Sequence, residues 1–184
     1  MSTTANAWMS WEGGVDLVGL SQEGLEQPNV IVHVARMVHT PVGSAPSGMV
    51  LIPGADGQPI LAGFVSGSEE VGRYFGPHIF AGTPFENVPV LQADIESTIA
   101  APGLASVKVS VAKYVIELQF TNLGALTPVD RPAAGLPFSE RALEAKAGSV
   151  SLRVNGAELP VIVPPAGMSG GPAAVYSACG IYWR

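Results

Sequence analysis

The stretch LASVKVSVAKYVIELQFTNL, Leu104 to Leu123, is the longest run of strand-forming residues in the chain and constrains the fold more than any other segment. In its first half Val107, Val109 and Val111 alternate with Ser106, Lys108 and Ser110, the period-two pattern of a half-buried strand. From Tyr114 the apolar set moves to even positions, Tyr114, Ile116, Leu118 and Phe120, with Val115 as the exception. A straight strand cannot change faces, and about 17 residues would span roughly 55 Å, too long for one unbent strand in a small domain. The chain therefore bends at Ala112 and Lys113. No Gly, Pro or Asn stands there, so the expectation is a β-bulge or a strand that passes between sheets, not a hairpin. The fold class that follows is mainly β, an antiparallel barrel or two-sheet sandwich with one or two short helices.

The remaining elements fit that class. Trp8 and Trp11 pin an irregular N-terminal segment, Val15 to Leu20 is a first short strand, and Asn29 to His39, apolar on both faces, is a central one. Thr40 to Gly48, with two Pro, two Gly and two Ser, reads as a loop. Met49–Ile52 and Ile60–Val65 form a hairpin across PGADGQP. Ser68 caps a helical turn through Phe75 that Gly76-Pro77 ends. Val90 to Thr98 is a one-sided strand that leads through Ala101-Pro102-Gly103 into the central run, and a Pro- and Gly-containing stretch extends to Pro137. Helix signals follow: Ser139 as N-cap, Phe138 stapled to Leu143, Gly148 just past the end. The SVSLRV-Asn155-Gly156-AELPVIV segment predicts a type I′ hairpin. Its register sets Val154 against Ala157, Leu152 against Leu159, Val150 against Val161 and Arg153 against Glu158. Ala173 to Trp183 is a last strand.

Composition bounds the function. The 184 residues carry a net charge of −6, and no Lys or Arg cluster exists to bind nucleic acid. Mean hydropathy is +0.33, but no run approaches the ~20 apolar residues of a membrane span. Only 13% of residues are charged, against about 25% in ordinary soluble domains. That deficit predicts a homo-oligomer with an apolar interface drawn from Trp8, Trp11, Phe75, Phe80, Phe85, Tyr182 and Trp183. The N-terminus shows no secretory pattern, so a single cytoplasmic domain over residues 1–184 is expected. The lone Cys179 reads as a small buried hydrophobe.

For chemistry, Gly167-Met168-Ser169-Gly170-Gly171-Pro172 resembles the GxSGGP segment of trypsin-like serine proteases. The resemblance covers six residues and implies Ser169 as nucleophile, Gly167 as an oxyanion donor, His33 or His39 as base and Asp94 as orienting acid. His33 and His39 stand about 20 Å apart along one strand, too far to share a metal ion. Asp94 and Glu96 share one face of a strand, read as its solvated side. No cofactor is implied. The apolar stretch around Phe75, His78, Phe80 and Phe85 suits a small apolar ligand. The expected function is a non-catalytic small-ligand-binding or self-assembling module, with a serine hydrolase as the alternative.

Overall fold

The computed structural model describes residues 8–100, 103–132 and 138–183; the Ala101-Pro102 turn and the end of the stretch to Pro137 lie outside them. The elements are β1 (Trp8–Gly19), β2 (Val30–Thr40), β3 (Gly43–Pro53), β4 (Pro59–Ser66), α1 (Glu69–Ile79), β5 (Val90–Ala100), β6 (Leu104–Val111), β7 (Tyr114–Thr121), β8 (Thr127–Pro132), β9 (Ser139–Lys146), β10 (Ser149–Val154), β11 (Ala157–Glu158) and β12 (Ala174–Trp183). Among the described residues all twelve strands join one sheet, in the order β11-β10-β7-β6-β5-β4-β3-β2-β1-β12-β9-β8. Every pairing is antiparallel except β4 with β5, which α1 links. The sheet stays open, and its edges are a two-residue strand and a strand bearing Pro128 and Pro132, both poor templates for further pairing.

The sheet folds over on itself. β1 touches β6 although four strands lie between them, and Val15, Val32 and Val50 share one core with Val107, Val109, Ile116 and Leu118. The opposite face of β1–β4 buries Ile31, Met49, Leu51 and Phe64 beneath Phe75 and Ile79 of α1. The result is a sandwich-like β fold with a helix as a third layer.

The central run is a hairpin, not a bulged strand. Val111 pairs with Tyr114 across a two-residue loop, and Ala112 supplies the left-handed φ of +52° that a glycine would normally provide. The phase change is the mark of that pairing: Val107, Val109 and Val111 stand opposite Leu118, Ile116 and Tyr114, so one buried face carries odd numbers on β6 and even numbers on β7.

Residues 139–146 form strand β9, not a helix. Their helix-forming composition arises because this strand buries Glu140 and Glu144 and exposes Leu143, the reverse of an ordinary strand pattern. Tertiary pairing on both sides, with β12 and β8, overrides the local propensity. Further expectations move: the segment of Trp8 and Trp11, read as irregular, belongs to β1, and β8 lies within the Pro- and Gly-containing stretch. β3 begins at Gly43, inside the expected loop, where it pairs with Thr40 of β2; of its small residues Gly48 is required by packing, since a Cβ there would strike the His33 carbonyl and Val34. α1 runs through Gly76-Pro77 to Ile79, with the Phe64 ring occupying the space a Gly76 side chain would fill. Ser68 does cap this helix, accepting from the Val71 N–H at 3.4 Å.

The Asn155-Gly156 hairpin has the expected register, Val154 with Ala157 and Arg153 with Glu158, and positive φ at both loop residues. The Leu159 N–H donates to the Leu152 carbonyl at 2.9 Å; Leu152 is buried and Leu159 half-buried. Pro160 then ends the ladder. Ile162 pairs with Leu20 instead, so the expected pairing of Val161 with Val150 does not form, and Val150 pairs only on its other side, with Phe120 of β7.

Candidate functional site

Three neighbouring strands break their regularity in one row. Gly13 takes φ +61° within β1, the β2–β3 register shifts between Ala35 and Val38, and the β12–β9 register shifts between Ser177 and Cys179. These lie side by side, since Gly14 pairs with both Ala35 and Ser177. Pro46 sits opposite the extra residue of β2, where its missing N–H costs no ladder bond. Below the row Val15 and Leu17 face the sandwich core; above it Met9 and Trp11 face the helix side, although Trp11 and Val15 have the same parity. A cavity of about 40 Å3 opens where the strands change phase. A second of about 20 Å3 adjoins it, and Asp16, His33, Ser169 and Tyr182 line both.

The walls of the larger cavity are mainly apolar, with Met9, Trp11, Val38, Phe75 and Val175 among them. Trp11 lies where a side chain on Gly180 would be, stacks at 4.5 Å between centroids on Tyr182, and donates its indole N–H to Ser177 Oγ at 3.0 Å. Glycine at 180 is therefore what lets the indole lie flat against β12.

The polar groups sit on the same face. Asp16 and His33 are register partners, with Oδ1 3.3 Å from Nδ1. The imidazole is enclosed by protein and stacks on Phe75 and edge-on to Phe80, while the 24% of its surface left accessible borders the cavities. Burial pushes its pKa down, but the Asp16 charge and hydrogen bond, with help from Glu140, outweigh this and leave it raised. Glu140 and Glu144 point to this face from β9. Arg131 of β8 donates through Nη2 to Glu144 Oε1 at 2.8 Å, and the same nitrogen approaches Glu140 Oε2 at 3.5 Å without completing a hydrogen bond. Burial, opposed by Arg131 and reinforced by Glu144, pushes the Glu140 carboxyl up to about 7. Burial likewise holds the Tyr182 hydroxyl well above its usual range, so it is neutral.

The 164–172 segment covers one side. Gly167 N–H donates to the Gly171 carbonyl and Gly170 N–H to the Gly167 carbonyl, forming a compact turn with Ser169 near its tip. Gly171 lies against the Arg131 guanidinium, with Nη2 2.6 Å from where a Cβ would stand, so a side chain there would push the guanidinium aside.

The structure thus brings Ser169 and His33 to the same cavities, with Asp16 as the acid beside the histidine. Asp94 is exposed on β5 and lines neither cavity; Glu96 beside it is exposed and meets Lys108 at 3.5 Å. His39 belongs to a surface network, 2.8 Å from Ser44 Oγ and 3.1 Å from Glu12 Oε1. Among the described residues no hydrogen bond joins Ser169 to His33. Of the residues expected around an apolar ligand, Phe75 lines the larger cavity and Phe80 the smaller. His78 lines neither; it stacks on Tyr74, whose carbonyl meets its Nδ1 at 2.6 Å. Phe85 packs edge-on to Phe80. Cys179 is exposed, not buried, because the bulge at 177–179 turns it outward. Asp16, Glu140, Glu144 and Arg131 went unread in the sequence. The one available signal was the pair of acids spaced four apart in a segment otherwise read as helix.

No family model matches the chain, and no curated protein matches it. Among the described residues, no helix is long and apolar enough to cross a membrane, and no group of three or more His, Cys, Asp or Glu side chains is placed to hold a metal ion.

Proposed function

We propose that the protein binds a small molecule in the cavity beneath α1 and the 164–172 turn. The observation that carries this reading is the composition of the cavity: apolar and aromatic walls around a few convergent polar groups, Asp16, His33, Glu140 and Tyr182, two of them with shifted pKa and a third held neutral. Buried charges are costly, and a chain that places them around an empty volume at a row of strand irregularities gives up stability for something other than packing. The test is a thermal-shift screen of molecules of up to about five heavy atoms, run on the protein and on Ala35→Val, which narrows the cavity. Ligands should raise the melting temperature of the first and not the second; equal shifts in both would place binding elsewhere.

A second reading is supported by Ser169 sharing both cavities with the Asp16–His33 pair. Here Ser169 Oγ would attack the acyl carbon of an ester or amide while His33 takes its proton and Asp16 holds the imidazolium; His33 then gives that proton to the departing alcohol or amine as its bond to the acyl carbon breaks, and water, deprotonated by His33, cleaves the acyl-enzyme to the acid and free Ser169. Labelling by a fluorophosphonate, lost in Ser169→Ala, supports it; an unlabelled protein removes it.

Self-association is a separate proposal. Trp8, Leu143 and Ile181 are exposed on the outer face of β1, β12 and β9, beside the half-exposed Trp183, whereas Trp11, Phe75, Phe80 and Tyr182 are core. A mass of 18.9 kDa with no concentration dependence in sedimentation equilibrium would count against it.

A further inference from the structure

Resting on the small-ligand reading, we infer that the cavity takes a small organic cation, an alkylammonium whose charge sits on Glu140 and whose hydrocarbon part lies against Trp11, Phe75 and Tyr182. The inference starts from which charges at the site are already matched. Asp16 has His33 at 3.3 Å, and Glu144 has Arg131 at 2.8 Å. Glu140 is the least well matched, reaching the same Arg131 nitrogen only at 3.5 Å and without a hydrogen bond. It is 3% exposed, it lines the cavity, and its Oε2 has no hydrogen-bond partner among the described residues. A buried carboxylate that has an ion partner at 3.5 Å but no hydrogen bond is only partly compensated for desolvation, so a donor entering the cavity offsets more of that penalty.

The chemistry of that donor follows from its neighbours. The titratable and charged groups near Glu140 are Asp16 on β1, His33 on β2, Glu144 on the same strand, Arg131 on β8 and Tyr182 on β12. Asp16, Glu140 and Glu144 face one guanidinium and one imidazole, so with Tyr182 neutral an ionised Glu140 leaves at least one net negative charge. An ammonium supplies both the missing N–H donor and the missing positive charge; an alcohol supplies only the first, and a carboxylate adds repulsion from Asp16, Glu140 and Glu144. The aromatic groups strengthen the choice, since Trp11, Tyr182 and Phe75 line the cavity and ring faces attract cations. The volume of about 40 Å3 limits the ligand to a few heavy atoms.

The experiment is isothermal titration calorimetry with n-propylammonium, n-propanol and propionate, which have nearly one size and differ in head-group charge. Propylammonium should bind at least tenfold more tightly than propanol, and Glu140→Gln should remove that preference. In the unmodified protein, binding at pH 7 should release roughly half a proton per site, because Glu140 titrates near 7 and the cation ionises it. Heats in two buffers of different ionisation enthalpy read this directly, and decide the matter should Glu140→Gln fail to fold. Equal affinity for propanol and propylammonium without proton release, or a preference for propionate, would overturn the cation while leaving the small-ligand reading intact. Absence of binding by all three would overturn both.

Discussion

Asp16 and His33 stand opposite each other on β1 and β2, with the carboxylate 3.3 Å from Nδ1 and Phe75 stacked on the ring. Burial alone would depress the His33 pKa, and the Asp16 charge reverses that. Asp16→Asn keeps the burial and removes the charge. The His33 pKa should therefore fall below 6.5, the ordinary value. Titration of the imidazole Cε1–H resonances by NMR checks this, and an unchanged His33 would mean that the pair does not interact.

Glu140 makes stability depend on pH. Its folded-state pKa is raised from 4.5 to about 7, chiefly by burial. The folded protein therefore holds this proton more tightly than the unfolded chain, and the contribution is complete below 4.5 and lost as pH rises through about 7. Glu140→Gln, which stays neutral, should be more stable than the unmodified protein at pH 8. The gain should be at most about 3 kcal/mol at 1.36 kcal/mol per pKa unit. At pH 4 the two should match. Urea denaturation at both values reads the difference, and a variant less stable at pH 8 would show that ionised Glu140 is a net stabilising partner of Arg131.

Ala112 holds φ +52° in the β6–β7 loop, a conformation that costs an L-residue roughly 1–2 kcal/mol. Ala112→Gly removes that strain and adds some unfolded-state entropy, so a net stabilisation of about 0.5–1 kcal/mol is expected. A loss of stability would mean that the methyl group makes a contact worth more than the strain.

The same loop shows what the sequence could and could not convey. The alternation in Val107–Val111 and Tyr114–Phe120 specified two strands and their buried face, and the parity switch between them carried the hairpin register. It was misread because Ala112 is a poor turn residue whose strain is tolerated only within a ladder running from Leu104–Thr121 to Val111–Tyr114. The Asn155-Gly156 hairpin was legible because its turn chemistry and side-chain pattern agree. β9 was not, since Glu140 and Glu144 are buried against Arg131 of the neighbouring strand β8 and beside the cavity, and nothing within SERALEAK itself distinguishes it from a helix. Of these misleading segments β9 builds the site, whereas the β6–β7 loop lines neither cavity. His33 and Ser169 were visible as candidates, but their meeting depends on three aligned irregularities that no single strand encodes.

The central claim is that a small molecule occupies the cavity between Trp11, Phe75, Glu140 and Tyr182. Proton–nitrogen NMR spectra recorded during titration with the best ligand from the screen test it most directly, because the indole N–H of Trp11, bonded to Ser177, sits at the wall. The account predicts saturable shifts of that indole signal and of the Asp16, His33 and Glu140 amides, all with one dissociation constant, and their loss in Ala35→Val. Shifts confined to outer-face residues such as Leu143 and Ile181, with the Trp11 indole unmoved, would contradict it.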